Sequence, residues 1–202
     1  MYKNLYEFFK VEEFKGMAED VIILYHYALK FKFKNILDLG VGPEGNSTRA
    51  FSLAASQLTD YGSTVFSVDI DKKCIEDMLK RLQKLGLEKY VTFINDDSIN
   101  VLKQSPFWFY DCIFMDTSHE YKQTLVELFW ANLRLNQSDK GCIFIHDTIK
   151  PEVKEPIEIF LSYSPQYIHI EFNTEGGLGL LMKKSYFGLL KLFKESKLLM
   201  NE

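Results

Sequence analysis

The sequence predicts an α/β protein: a doubly wound sheet of about seven strands, mostly parallel, with helices on both faces and an antiparallel hairpin near the C-terminal end. Three observations carry this reading. Short apolar runs alternate with segments whose apolar residues recur at helical spacing. The runs are nearly continuous in apolar character, as strands buried on both faces are. Several of them end in acids or glycines, where open α/β sheets hold their ligands.

Residues 17–31 read as a helix, the main part of an N-terminal helical region over 1–33. Residues 35–40 (NILDLG) are the first strand, and Phe51, Ala54, Ala55 and Leu58 mark the helix after it. Residues 64–70 (TVFSVDI) are the second strand, followed by an amphipathic helix through Ile75, Met78, Leu79, Leu82 and Leu85 that Gly86 closes. The third strand is 91–95 (VTFIN), with a short helical piece near 98–104. The fourth is 110–116 (YDCIFMD), and Leu125, Leu128, Phe129 and Leu133 give the next helix face. The fifth is 141–147 (GCIFIHD). Residues 166–172 and 178–183 flank NTEGG and read as a hairpin that ends a core spanning 34–183. The tail, 186–200, sets Phe187, Leu190, Phe193 and Leu198 among lysines. It reads as a surface helix, with a homo-oligomer contact or a membrane-surface helix as the alternatives. No repeat or linker divides the chain, so 1–202 reads as a single domain.

The bulk numbers exclude little but agree. The chain of 202 residues is 47% hydrophobic and 26% charged, with net charge -4. Such a balance gives no sign of a nucleic-acid-binding surface. Cys74, Cys112 and Cys142 have neither zinc spacing nor a disulfide framework, which fits a reducing, cytoplasmic setting. Neither a secretory leader nor a membrane span is expected. Trp108 and Trp130 read as core, with pocket wall the alternative, His26 and His169 as structural, and Gly176, Gly177 and Gly179 as turn residues, while Tyr121 is a candidate wall of a substrate pocket.

The first strand runs into Asp38-Leu39-Gly40-Val41-Gly42-Pro43-Glu44-Gly45-Asn46-Ser47-Thr48. Gly40, Gly42 and Gly45 satisfy G-x-G-x-x-G, and Asp69 ends the second strand, the pattern of a dinucleotide site. The flanking acids argue otherwise. Asp38 and Glu44 would repel a pyrophosphate at short range. They suit S-adenosylmethionine, which carries an ammonium and a sulfonium, one ribose for Asp69, an adenine, and no phosphate. The third strand ends in Asn95-Asp96-Asp97-Ser98. There Asp97 can accept from the adenine amino group and the following N–H, at Ser98, can donate to the ring; a plain helix N-cap is the competing reading. The cofactor-binding candidates are therefore Asp38, Gly40, Gly42, Gly45, Ser47, Asp69, Asp97 and Ser98. A nicotinamide oxidoreductase and a protein that binds S-adenosylmethionine or a nucleotide without catalysis are the other function classes.

The stretch FMDTSHEY, 114–121, has two readings as well. Thr117-Ser118-His119-Glu120 fits a capping box for the next helix. Alternatively, Asp116 and His119 do chemistry at a strand's carboxyl end.

With DLGVGPEGNST, VFSVDID, NDDS, FMDTSHEY and FIHDT in this order, the chain resembles class I S-adenosylmethionine-dependent methyltransferases over roughly residues 35 to 183. The last two motifs resemble the small bacterial O-methyltransferases related to macrocin O-methyltransferase and the cephalosporin hydroxylase family, and more distantly catechol O-methyltransferases. The resemblance implies a Rossmann-like fold, methyl transfer to a small-molecule hydroxyl, and a Mg2+ or other divalent cation. It implies Asp116 and Asp147 as metal ligands, and His119 as the base that deprotonates the hydroxyl. It also marks a departure: beside Asp147 stand His146 and Thr148 where relatives often have Glu or Asn. His146 is the third candidate ligand, although Mg2+ prefers oxygen.

Overall fold

The computed structural model describes residues 18–138 and 140–186. Seven strands form one sheet: β1 Asn35–Leu39, β2 Thr64–Asp69, β3 Val91–Asn95, β4 Cys112–Met115, β5 Cys142–His146, β6 Tyr167–Phe172 and β7 Leu178–Lys183. Their order is β3-β2-β1-β4-β5-β7-β6. The first five are parallel, and β7 lies antiparallel between β5 and β6. The parallel order reverses beside β1, so the carboxyl ends of β1 and β4 flank the crevice where such sheets bind ligands.

Alternation along the buried strands assigns each side chain to a face. Cys112 and Phe114, with Cys142 and Phe144, meet helices α1 Ala18–Phe31, α2 Asn46–Gln57 and α3 Lys72–Leu85. Ile113 and Met115, with Ile143 and Ile145, meet α4 Ser98–Gln104, α5 Tyr121–Arg134 and α6 Pro151–Tyr163 on the other side. The α3 helix ends as its sequence implies, since Gly86 takes a left-handed conformation and its N–H reaches the carbonyls of Leu82 and Gln83.

Four expectations change. The fourth strand is shorter than 110–116, because Tyr110 makes only an isolated bridge to Leu135 before β4 begins at Cys112. Helix α6 has no counterpart in the sequence reading: Pro151 and Pro156 mask it, yet Pro151 sits in the first turn, where a missing N–H costs nothing, and Val153, Ile157 and Phe160 are buried. On α5 the buried face is Thr124, Glu127, Leu128, Ala131 and Arg134, while Phe129 and Leu133 stand exposed. Finally, Trp108 is 61% exposed rather than core, and Trp130 is partly buried, stacked on Arg134. All of the tail helix expected over 186–200 except residue 186, and the N-terminal residues before 18, lie outside the described residues.

Candidate active site

The loop between β1 and α2 is built from beneath by Asp38. Its side chain is fully buried, and its oxygens accept from the hydroxyls of Ser47 (2.8 Å), Thr48 (2.5 Å) and Ser67 (3.0 Å). Burial pushes its carboxyl up to about 6 against the pull of these hydrogen bonds. Asp38 and the Ser47 hydroxyl are thus committed to each other, and the carboxylate the loop presents outward is Glu44. Asp69 accepts from the N–H of Gly42 (2.8 Å) and of Asp71 (2.8 Å), which ties the loop to the end of β2. Asp97 caps α4 through the N–H groups of Ile99 and Asn100, as the competing reading of that residue expected. The cap leaves the Ser98 N–H unused, whereas the Ser98 hydroxyl is turned inward onto Glu127.

A cavity of about 140 Å³ is lined by Val41, Gly42, Pro43, Glu44, Gly45, Asn46, Ser47 and Asp116. Asp116 therefore belongs to the loop cavity and to a second group of residues at once. The junction depends on Gly40, whose φ is +95° and where a Cβ would lie 1.9 Å from the Asp116 carbonyl oxygen. No other residue type permits that approach.

The second group gathers at the ends of β4 and β5. Asp116 Oδ1 lies 3.1 Å from His119 Nε2 and 3.3 Å from His146 Nδ1. The opposite nitrogens also face carboxylates: His119 Nδ1 is 3.4 Å from Asp147 Oδ2, and His146 Nε2 is 3.3 Å from Asp20 Oδ2. Lys150 holds the outer side of Asp147 at 2.5 Å. Burial would raise the Asp116 carboxyl, but the two imidazoles outweigh it and bring it to about 2. Burial would lower His146, but Asp116 and Asp20 outweigh it and raise it to about 10. Despite these short approaches, His119 Nε2, both His146 nitrogens and Asp20 Oδ1 lack an aligned hydrogen-bond partner.

Backbone strain collects here too. Four non-glycine residues among those described have positive φ, and two of them are His119 (56°) and Asp147 (59°). Such conformations persist where their surroundings hold them, and they cluster at functional sites. The left-handed turn at His119 also explains why the capping box does not form. Helix α5 starts only at Tyr121, with Glu120 at the cap and no side-chain bond to it. Thr117 instead donates to Glu127, and Ser118 pairs with Gln123.

Of the expected metal ligands, Asp116 and His146 converge, and His119 joins them: one donor atom from each lies within 4.8 Å of the others. Asp147 stands outside that set, with Oδ2 behind His119 and Oδ1 3.6 Å from His146 Nδ1. The set fits a divalent cation, because its buried nitrogens lack partners, but two imidazoles suit Mg2+ poorly. The sequence reading missed three contributors. Asp20 looked like an ordinary first-turn acid of α1, yet is 1% exposed. Glu127, hidden in the apolar period of α5, is fully buried and accepts from Ser98, Thr117 and Gln123, joining the loops after β3 and β4. Gly176, in the β6–β7 turn, packs on the cluster so closely that a Cβ would sit 2.8 Å from Asp147 Oδ1 and 3.1 Å from His146 Nε2.

A seven-stranded sheet of this order, with an acid-backed glycine loop opening onto a polar cluster, defines the methyltransferase class. The family model described as "Methyltransferase domain" matches residues 38–148, more than half of the chain, and the chain belongs to that family. Solved structures agree on the fold. Cofactor-bound Rv0187 from MTB is 15% identical, with a TM-score of 0.70, covering 88% of this chain and 85% of its own. The O-methyltransferase TomG from Streptomyces achromogenes, in complex with SAM, is 14% identical, with a TM-score of 0.68 and the same coverage of 88% and 85%. An O-methyltransferase from Bacillus cereus, in complex with SAH, is 16% identical, with a TM-score of 0.67, covering 82% and 80%. No curated protein matches the chain. Among the described residues no helix is long and apolar enough to cross a membrane.

Proposed function

We propose that the protein transfers the methyl group of S-adenosylmethionine to a hydroxyl oxygen of a small molecule. The observation that carries this reading is the double membership of Asp116, which lines the glycine-loop cavity and anchors the imidazole cluster. Donor and acceptor would meet across it. SAM or SAH in the TomG and Bacillus cereus structures supports the choice of cofactor.

In this reading the methionine end lies along Gly40, Gly42 and Gly45, with Glu44 facing its ammonium. Asp38 and Ser47 hold the loop from below rather than touching the ligand. Asp69 keeps a free lone pair on each oxygen for the ribose hydroxyls. Asp97 and the Ser98 N–H flank the adenine. The hydroxyl oxygen attacks the methyl carbon as the carbon–sulfur bond breaks, and the bond pair leaves on the thioether sulfur. The protein's task is to align oxygen, carbon and sulfur and to remove the proton. In the cation-free enzyme His119, 3.1 Å from Asp116 at the end of β4, is the proton acceptor. A divalent cation bound at Asp116, His119 and His146 would supply charge that lowers the hydroxyl pKa. Tyr121 and Ile149, exposed beside the two strand ends, offer apolar surface to the acceptor's carbon frame.

A calorimetric titration with S-adenosylhomocysteine and with NAD, followed by a labelled-methyl screen over small hydroxyl compounds, tests this. Binding of S-adenosylhomocysteine alone and label in an alkali-stable ether are expected. Binding of NAD alone would overturn it, and cofactor binding with no transfer to any acceptor would leave a non-catalytic binder.

A further inference from the structure

We propose that Asp116, His119 and His146 form a binding site for a divalent cation of the nitrogen-accepting class (Mn2+, Fe2+, Co2+ or Zn2+) in preference to Mg2+, and that Asp20 and Asp147 orient the two imidazoles toward it. The proposal rests on the reading above for the location of the site.

The donor separations are the first argument. Two ligand atoms roughly 2.1 Å from one ion, at tetrahedral or octahedral angles, lie about 3.0–3.4 Å apart. Asp116 Oδ1 is 3.1 Å from His119 Nε2 and 3.3 Å from His146 Nδ1.

The carboxylates behind the imidazoles are the second. Each imidazole turns one nitrogen to Asp116 and the other to a different carboxylate, Asp147 for His119 and Asp20 for His146. An outer carboxylate on a histidine is also the usual arrangement behind a metal ligand, where it fixes the tautomer and raises the ligand's basicity.

Charge and burial are the third. Asp20, Asp116 and Asp147 bring three carboxylates around the two imidazoles, with Lys150 on the outer side of Asp147. Asp20 is 1% exposed, aims at His146, and has an oxygen with no hydrogen-bond partner. A buried carboxylate in that state is costly unless it serves a charged neighbour.

The selectivity follows from the donors. Two imidazoles with one carboxylate suit borderline first-row ions, whereas Mg2+ holds to oxygen and water.

The test is calorimetric titration of chelator-treated, full-length protein with Co2+, Zn2+, Mn2+ and Mg2+, with Co2+ binding also followed by its visible absorption. S-Adenosylhomocysteine affinity and thermal unfolding are measured on the same samples. One transition-metal ion per chain is expected, bound at least about tenfold tighter than Mg2+. His146→Gln and His119→Gln should each abolish the intense Co2+ absorption, and Asp20→Asn should weaken binding by about 10–100-fold, all in folded protein with cofactor affinity retained. Mg2+ binding as tight as Co2+, no ion bound at all, or unaltered Co2+ spectra in both histidine variants would overturn the proposal. Loss of cofactor binding with the cation site intact would instead overturn the methyltransferase reading alone.

Discussion

The β1–β3 side of the molecule and the β4–β5 side treat their carboxylates in opposite ways. On the first side every acid at a strand end is satisfied from within: Asp38 by three hydroxyls, Asp69 by two backbone N–H groups, and Asp97 by the start of α4. On the second, Asp116, Asp147 and Asp20 face imidazoles and a lysine at short range, and several of the polar atoms lack aligned partners. A carboxylate saturated by hydrogen bonds shapes a backbone. A buried polar atom without one marks a place where a proton, an ion or a substrate is meant to arrive. In the function proposed above, the first side is framework for a ligand, and the second is the place for chemistry.

Four measurements break or sharpen that contrast. The largest effect belongs to the second side. His119→Ala should lower methyl transfer by about 10²–10⁴-fold while S-adenosylhomocysteine affinity holds, because the residue meets the acceptor and not the cofactor. Equal losses in rate and affinity would erase the division. Gly40→Ala strikes the seam between the sides, where the new methyl would collide with the Asp116 carbonyl. Chemical denaturation should reveal a loss of about 3 kcal/mol, with cofactor binding and transfer failing together; a stable variant impaired in only one would show that the seam is not shared.

Asp38 offers a test of the framework through pH. Its folded pKa, about 6, lies above the ordinary 3.8, so the ionised form is disfavoured in the fold. Its contribution to stability is fully present below pH 3.8 and is lost as the pH rises through 6. Between about pH 4 and about pH 7, Asp38→Asn should therefore gain on the natural protein by roughly 2–3 kcal/mol in urea unfolding. Parallel stability curves for the two would remove Asp38 from the buried position described. The smallest effect is at Asp69, where Ala should weaken S-adenosylhomocysteine binding by about 1–3 kcal/mol through loss of the ribose contacts and of the bond to Gly42. Unchanged affinity in folded protein would count against Asp69 as a ribose ligand.

The two sides were also unequally legible. The loop and the strands announce themselves, because buried parallel strands need unbroken apolar runs and a tight strand-to-helix turn needs glycine. Asp38, Asp69 and Asp97 were therefore visible as residues, and the cap at Asp97 was one of its two readings, but nothing in DLGVGPEGNST says that Asp38 points down into hydroxyls and not out to a ligand. The second side is assembled from four distant places. Asp116 and His146 follow from strand ends, but Asp20 arrives on a helix packed across the sheet, and Gly176 on a turn whose strand inserts next to β5. No local pattern encodes either meeting. Glu127 was hidden by the apolar residues of its own helix, and α6 by two prolines, one in its first turn and one inside it.

The place of β7 between β5 and β6 has a consequence in time. On a chain emerging from the ribosome, β6 appears first and has no neighbour to join, since it reaches the sheet only through β7. Until residue 183 is free, β5 keeps an open, apolar edge, the kind of edge that pairs with stray strands. The glycine loop by then has all of its partners. The turn carrying Gly176, which covers His146 and Asp147, closes only with that last pairing. The nascent protein thus passes through a stage in which the glycine loop is complete and the imidazole cluster still lacks its cover.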